Sequence, residues 1–264
     1  MPKKFRPQAG LYNPLMPLPI ELAHRRYVQQ AGWTQHLRRH LLARAGIANA
    51  QRVLEVGCGT GAVLRTISPA PRGILHGLDI DLPSLQLAQR EVALANLIAG
   101  DAHRIPYANA SFDIILCHYL LLWLTHPAGA LSEMRRVTRP GGAVLALAEP
   151  DYGLRVDKPE SLAQLGHMQT EALRAQGANP DLGSQLPDLF EAAGFKNVQS
   201  GQLESESNHS SEDRQLEREV LRVDLENRIS IDELDKLLKE DTLAWQQGCR
   251  VLHVPTFYAW AHVI

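Results

Sequence analysis

The chain has little of what marks a disulfide framework, a membrane span or a nucleic-acid surface. Its 264 residues include three cysteines, Cys58, Cys117 and Cys249, whose wide spacing argues against both disulfides and a zinc site. No apolar run approaches the roughly 20 residues that cross a bilayer, and early prolines interrupt a signal-peptide pattern. The net charge of -2 offers no basic field for nucleic acid. We therefore expect a cytoplasmic protein with no membrane span, no metal site and no nucleic-acid partner.

The most informative stretch that is present runs from Val53 to Gly61. It reads as a buried strand entering a glycine turn, with Glu55 two residues before Gly57. A helix is predicted to begin near Ala62, so that backbone at the turn could approach a ligand at a helix N-terminus. This pattern indicates a nucleotide-type pocket.

The glycine spacing alone leaves the cofactor open. Gly57, Gly59 and Ala62 also satisfy the dinucleotide fingerprint, which would make the chain an NAD(P)-dependent oxidoreductase. Glu55 opposes that alternative, because a carboxylate beside the turn would repel a pyrophosphate but attract the sulfonium and ammonium of S-adenosylmethionine. The competing interpretation is that Glu55 makes only a structural hydrogen bond at the mouth of the sheet.

Two further acids end the next predicted strands. Asp79 follows an apolar run at about the offset where open α/β sheets place an acid on the ribose hydroxyls. Asp101 can accept a hydrogen bond from the adenine amine, while the N–H of Ala102 can donate to a ring nitrogen. Asp81 is better explained as the N-cap of the following helix.

With these acids in place, the chain resembles the class I S-adenosylmethionine-dependent methyltransferases, close to the ubiquinone and menaquinone biosynthesis group. The resemblance covers about residues 51–149 and rests on four segments in order: Glu55–Gly61, Gly77–Asp81, Gly100–Tyr107 with Ser111–Ile115, and Leu131–Gly142. It implies S-adenosylmethionine as the cofactor, with the first segment on its methionine part, Asp79 on the ribose, and Asp101 with Ala102 on the adenine. The full set expected at the cofactor is Glu55, Gly57, Cys58, Gly59, Gly61, Asp79, Ile80, Asp101, Ala102, Cys117 and Tyr27.

The order of elements predicts an α/β fold with a doubly wound, mostly parallel Rossmann-like sheet and helical cap insertions. Residues 1–50 are assigned to an N-terminal helical cap, 51–150 to the cofactor-binding core, and 151–264 to the rest of the sheet with further cap helices, all as a single domain. Cap helices are predicted over 20–31, 34–45, 159–176, 211–227 and 230–247, the last starting with a capping box at Ser230 and Glu233. Edge strands are predicted near Val198 and Phe257.

Methyl transfer mainly requires alignment of a nucleophile with the S–CH3 bond. His118, after the fourth strand, is the first candidate for a base, with a substrate-orienting role as the alternative. Tyr119 and Trp123 are candidates for the wall of the substrate pocket. Tyr12 and His24, from the N-terminal cap, could reach the cofactor or the acceptor.

The enclosed cap favours a small-molecule acceptor with an oxygen, nitrogen or carbon nucleophile. A protein that binds the cofactor without methylating is the second alternative. The oligomeric state is not predicted.

Overall fold

A seven-stranded sheet forms the centre of the computed structural model, which describes residues 18–67, 73–203 and 210–264; Tyr12 lies outside them. The strands are β1 (Arg52–Val56), β2 (Ile74–Asp79), β3 (Asn96–Ala99), β4 (Phe112–Cys117), β5 (Thr138–Pro150), β6 (Val156–Lys158), β7 (Gln199–Gln202), β8 (Val251–His253) and β9 (Thr256–His262). The strand order in the large sheet is β3-β2-β1-β4-β5-β9-β7, and β6 and β8 form a separate two-stranded sheet.

The five strands β1 to β5 run parallel to one another. β1 pairs with β2 and β4, and β4 pairs with β5, all in parallel. β9 runs antiparallel to both of its neighbours, β5 and β7. The prediction of a mostly parallel, doubly wound sheet is confirmed.

The strand around Phe257 is not an edge strand, so that prediction is wrong. It lies between β5 and β7, where Phe257 faces Glu149 on one side and Gln202 on the other. Its buried stretch from Ala259 to Ala261 suits an internal position. The edge is β7, whose residues are mostly exposed.

Helices cover both faces of the sheet. The helices are α1 (Ile20–Trp33), α2 (Gln35–Arg44), α3 (Leu82–Glu91), α4 (Pro127–Val137), α5 (Ala163–Ala175), α6 (Leu186–Ala192), α7 (Ser211–Leu225) and α8 (Ile231–Gln246). Helices α4 and α6 pack Met134 and Phe190 on the face that carries Leu54, whereas α2 packs Leu41 on the opposite face beside Val53. The strands are therefore buried on both sides, as parallel strands usually are.

The prediction of a helix that begins near Ala62 is wrong. The structure has a single 3-10 turn there, Leu64–Thr66. The N–H groups of Thr66 and Ile67 donate to the carbonyls three residues earlier, those of Val63 and Leu64, at 2.8 and 3.1 Å, which is the spacing of a 3-10 turn. A ligand at this turn would therefore meet the backbone of the turn itself and not the N-terminus of an α-helix.

Two predicted helix caps have different outcomes. Asp81 caps α3, because its Oδ2 accepts from the Ser84 N–H at 3.0 Å. Ser230 accepts from the Glu233 N–H at 3.3 Å, but the reciprocal bond that completes a capping box is found at Ser210 and Asp213 instead. No helix in the described part of the chain is both long enough and apolar enough to cross a membrane.

Candidate functional site

Three carboxylates stand together where β1, β2 and β3 deliver the chain to one edge of the sheet. Glu55, Asp79 and Asp101 line the same cavity, whose volume is about 200 Å³. The register explains this grouping, since Glu55 pairs with Gly77 and Asp79 pairs with Ala99 in parallel neighbours. The carboxyl ends of parallel strands are where α/β sheets bind ligands.

Asp79 holds the glycine turn. Its Oδ2 accepts from the Gly59 N–H at 2.7 Å, and its Oδ1 accepts from the Asp81 N–H at 2.9 Å. Burial nevertheless raises the pKa of Asp79 above its ordinary value, and the two backbone bonds oppose that effect. The carboxylate therefore both shapes the turn and presents negative charge to the cavity.

Glu55 is a buried acid with unused acceptor capacity. Desolvation is the main reason that its pKa lies well above the ordinary value, the nearby Asp79 adds to the rise, and Arg38 opposes it. The Leu64 N–H donates to the carboxylate, whereas Oε2 has no hydrogen-bond partner among the described residues. A cationic ligand at this atom would satisfy an otherwise costly buried group.

Asp101 is oriented by a neighbour that the sequence reasoning missed. Its Oδ1 accepts from both the backbone N–H of His103 and the ring Nδ1 of the same residue, each at 2.8 Å. These bonds leave Oδ2 to meet a ligand, as an exocyclic amine requires. A histidine two residues after a strand-end acid was the available sequence signal.

The turn glycines permit close approach of neighbouring side chains. A Cβ on Gly59 would lie 3.2 Å from the Tyr27 ring, and one on Gly57 would lie 2.6 Å from Leu120. Both glycines have positive φ, 49° and 72°, which disfavours any L side chain. Tyr27 thereby covers the turn from α1 and lines the cavity.

Two of the predicted cofactor residues lie outside the cavity lining. Cys117 is fully buried at the end of β4, and burial raises the pKa of its thiol well above the usual range. Gly61 faces α3 instead, where a Cβ would lie 2.8 Å from Val92. The other predicted residues, Glu55, Gly57, Cys58, Gly59, Asp79, Ile80, Asp101, Ala102, Tyr27 and His118, all line the cavity.

His118 is held by the cap and is a weak base. Its Nε2 lies 2.9 Å from the Thr34 hydroxyl, which itself accepts from Arg38 at 2.7 Å. Burial, assisted by Arg38, lowers the pKa of His118 to about 3. An imidazole with so low a pKa takes up a proton poorly at neutral pH, so the structure favours the orienting role over the base. His24 bonds instead to Thr60, at 2.8 Å.

Glu149 fixes the loop that follows His118. Its Oε1 accepts from the N–H groups of Leu120 and Leu121, both at 2.9 Å, and its Oε2 accepts from Leu122 at 3.2 Å. The loop also holds Tyr119 at a positive φ of 52°, a costly conformation for a residue with a side chain. Burial raises the pKa of Glu149 to about 7.

The roof of the cavity comes from helices far along the chain. Arg26 of α1 pairs with Glu217 of α7, and the neighbouring Arg25 pairs with Glu219 at 2.6 Å. Gln169, Gln176 and Asp224 also line the cavity. No local pattern identified these roof residues, because only the tertiary arrangement of α5 and α7 brings them over the strand ends.

The residues present fit S-adenosylmethionine. The orphaned Glu55 oxygen suits the ammonium, and the turn glycines Gly57 and Gly59 line the same cavity. Asp79 stands at the end of the neighbouring strand, and Asp101 with Ala102 follows the next. Within residues 18–67, 73–203 and 210–264, no group of three His, Cys, Asp or Glu residues could hold a metal ion.

Comparisons with known proteins find similarity to methyltransferases. A family model described as a methyltransferase domain matches residues 54–146. The demethylmenaquinone methyltransferase of Lactiplantibacillus plantarum is 30% identical over 190 residues, which cover 63% of this chain and 79% of that protein. The protein of the same name from Renibacterium salmoninarum is 35% identical over 128 residues, 48% of this chain and 54% of its own. The matched region thus spans about half the length of several relatives.

A solved structure supports the fold. Phosphoethanolamine N-methyltransferase 2 of Haemonchus contortus, in complex with S-adenosyl-L-methionine, superposes with a TM-score of 0.57 at 21% identity. The superposition covers 88% of this chain and 53% of the other. At that identity the likeness concerns the fold alone.

Proposed function

This chain belongs to the class I S-adenosylmethionine-dependent methyltransferases, and we propose that it transfers a methyl group from S-adenosylmethionine to a small-molecule acceptor. The observation that carries the proposal is the set of three strand-end acids, Glu55, Asp79 and Asp101, around one cavity with a glycine turn. A dinucleotide would bring its pyrophosphate against these negative charges, which opposes the oxidoreductase alternative.

When bound, the cofactor supplies an activated methyl group on a sulfonium. The acceptor's lone pair forms the new bond to the methyl carbon while the S–CH3 bond breaks and its electrons stay on sulfur. Glu55 would hold the ammonium, Asp79 the ribose hydroxyls and Asp101 the adenine amine. Leu120 and Tyr27 close over the turn, and such enclosure excludes water from the reacting atoms.

His118 would orient the acceptor rather than deprotonate it. Its ring lines the cavity and is fixed by Thr34 at 2.9 Å. An acceptor that must lose a proton would therefore release it to solvent or react in its unprotonated form. We also propose that the acceptor is a small molecule rather than a nucleic acid, which the net charge of -2 supports. The small number of cysteines supports a cytoplasmic location.

Thermal unfolding with each cofactor tests the donor. S-adenosylmethionine and S-adenosylhomocysteine should raise the melting temperature, because a ligand at 100 times its Kd stabilises the folded state by about 2.7 kcal/mol. NAD and NADP at the same concentration should leave it unchanged. Stabilisation by a dinucleotide alone would refute the proposal.

A second experiment tests the adenine contact at Asp101. In the variant Asp101→Asn, the amide oxygen can still accept from His103, but the NH2 group turns an N–H toward the adenine amine. S-adenosylhomocysteine should therefore bind this variant about tenfold or more weakly. The matched control is an analogue whose purine lacks the 6-amino group, which should bind the wild type and Asp101→Asn equally well. Equal loss for both ligands would contradict the assigned contact.

Transfer itself is checked with labelled cofactor and a panel of small hydroxyl, amine and carbon acceptors. Label should appear in a small-molecule product. Tight cofactor binding with no transfer to any class of acceptor would favour the alternative of a protein that binds the cofactor without methylating.

A further inference from the structure

A second cavity lies behind the cofactor cavity and shares a wall with it. Its volume is about 120 Å³. Tyr119 and Tyr152 line both cavities, as do Arg26, Pro150 and Gln169. The residues that line only the second cavity include Trp33, Thr34, Arg155, Leu252, His253 and Val254.

The tyrosine wall is held in place. The Tyr119 N–H donates to the Ala148 carbonyl at 2.9 Å, its hydroxyl bonds to Thr256, and its ring lies 4.9 Å from that of His118. Burial raises the pKa of both Tyr119 and Tyr152, so both hydroxyls stay neutral. The partition is therefore a neutral, aromatic surface with a fixed position.

The junction of the two cavities lies beside the predicted methyl-transfer position. His118 lines the cofactor cavity and Thr34 lines the second one, and the two side chains are bonded at 2.9 Å. A molecule seated in the second cavity could thus present one atom to the cofactor cavity past this pair. The second cavity is a candidate acceptor site on position alone.

The sizes of the two cavities suit two different ligands. A cavity of about 150 Å³ lined by apolar groups holds one benzene molecule, so the 120 Å³ of the second cavity suits a single ring. The first cavity, at 200 Å³, must take adenine, ribose and the methionine chain together. The cofactor would leave little of that space for an acceptor.

The charges that line the second cavity are already paired. Arg26 pairs with Glu217 and also lies over the Trp33 ring at 5.0 Å. Arg155 donates to Asp157 at 2.6 Å and to Gln169 at 2.5 Å. A phosphate or carboxylate on the acceptor would meet two guanidinium groups whose charge Glu217 and Asp157 already balance, whereas an uncharged ring would contact Trp33 and the aliphatic side chains with no charge to desolvate.

We propose that the second cavity binds the acceptor of the methyl group, and that this acceptor is an uncharged molecule with a single aromatic or similarly sized apolar ring. The ring packs between Trp33 and the segment Leu252–Val254, and its nucleophilic substituent reaches the junction at His118 and Thr34. The inference rests on the proposed methyl transfer, of which it names the substrate class.

Strand β8 offers a matched pair of variants. Leu252 lines the cavity, whereas the adjacent Val251 is 41% exposed and does not line it. Leu252→Trp should fill the cavity and Val251→Trp should not, although both make the same kind of change in the same strand. Val254→Trp is a second filling variant on a different part of the wall, for the case in which Leu252→Trp fails to fold.

The measurement is fluorine NMR with 4-fluorophenol, an uncharged ring, and 4-fluorobenzoate, its anionic counterpart, on the full chain with saturating S-adenosylhomocysteine. We expect 4-fluorophenol to bind the wild type and Val251→Trp with a Kd on the order of millimolar, as suits so small a ligand. The filling variants should bind it about tenfold or more weakly while their affinity for S-adenosylhomocysteine changes less than about twofold. 4-Fluorobenzoate should bind none of them detectably.

Three outcomes would overturn the inference: equal phenol binding in all variants, benzoate binding as tight as phenol binding, or displacement of phenol by S-adenosylhomocysteine. The last would place the ring in the cofactor cavity. Failure of S-adenosylhomocysteine to bind the wild type would instead refute the proposed function, and phenol binding measured without it still reports on the second cavity. The two failures are thus distinguishable.

Discussion

Glu149 should make the stability of this protein depend on pH near neutrality. The residue is fully buried, and burial raises its pKa from the ordinary 4.5 to about 7, although three backbone N–H groups oppose the rise. A carboxyl group whose pKa is raised by folding holds its proton more tightly in the folded state. Its contribution to stability is therefore complete below about pH 4.5 and is lost as the pH rises through about 7.

The magnitude follows from that pKa difference. At about 1.36 kcal/mol per pKa unit, the rise from 4.5 to about 7 corresponds to about 3 kcal/mol of unfolding free energy lost above neutrality. Glu149→Gln removes the ionisation. Its amide oxygen can still accept from Leu120 and Leu121, but its NH2 group meets the Leu122 N–H, so the variant should be less stable at low pH and lack this part of the pH dependence.

Denaturant unfolding of both proteins from about pH 5 to about pH 8 measures the effect. The difference in unfolding free energy between wild type and Glu149→Gln should shrink by up to about 3 kcal/mol across that range. Glu133→Gln is the control, because Arg136 lowers the pKa of Glu133 and its effect lies below that range. A difference between wild type and Glu149→Gln that stays constant within about 0.5 kcal/mol would refute the reasoning.

Three further predictions concern the site. His118→Asn should leave the shape of the pH profile of kcat unchanged above about pH 6, because a pKa of about 3 means that His118 does not ionise in that range. If the variant lost an inflection present in the wild type, His118 would act as a base. Gly61→Ala should cost about 1–3 kcal/mol in denaturant unfolding, since its Cβ would lie 2.8 Å from Val92, and Val92→Ala should recover part of that loss. His103→Ala should weaken S-adenosylhomocysteine binding severalfold in calorimetry by releasing Asp101, and an unchanged affinity would deny the positioning role.

The cofactor half of the site could be predicted from sequence because its signals are local. Each acid follows its own apolar strand, and a parallel sheet necessarily brings strand ends to one edge. Asp81 could likewise be assigned as a helix cap, since capping involves only the next few residues. The short 3-10 turn after Gly61 could not be predicted, because its residues Leu64 and Arg65 favour an α-helix in local sequence.

The other half could not be predicted because it is assembled across the chain. β9 reads as an edge strand by its place in the sequence, yet it enters between β5 and β7. Arg26 and Glu217, 191 residues apart, meet in the roof. The Glu149 carboxylate accepts from the loop backbone of Leu120 to Leu122, which lies 27 to 29 residues earlier in the chain.

The family match covers the cofactor acids but leaves out most of the second cavity. The family model ends at residue 146, so its match includes all three cofactor acids but excludes Trp33, Tyr152 and Leu252. Relatives matched over that region can share a donor without sharing an acceptor. Apart from Tyr119, the residues that line the second cavity lie outside the matched region. Substitution of those outside residues should separate acceptor binding from cofactor binding, and we expect acceptor preference to follow them rather than the glycine turn.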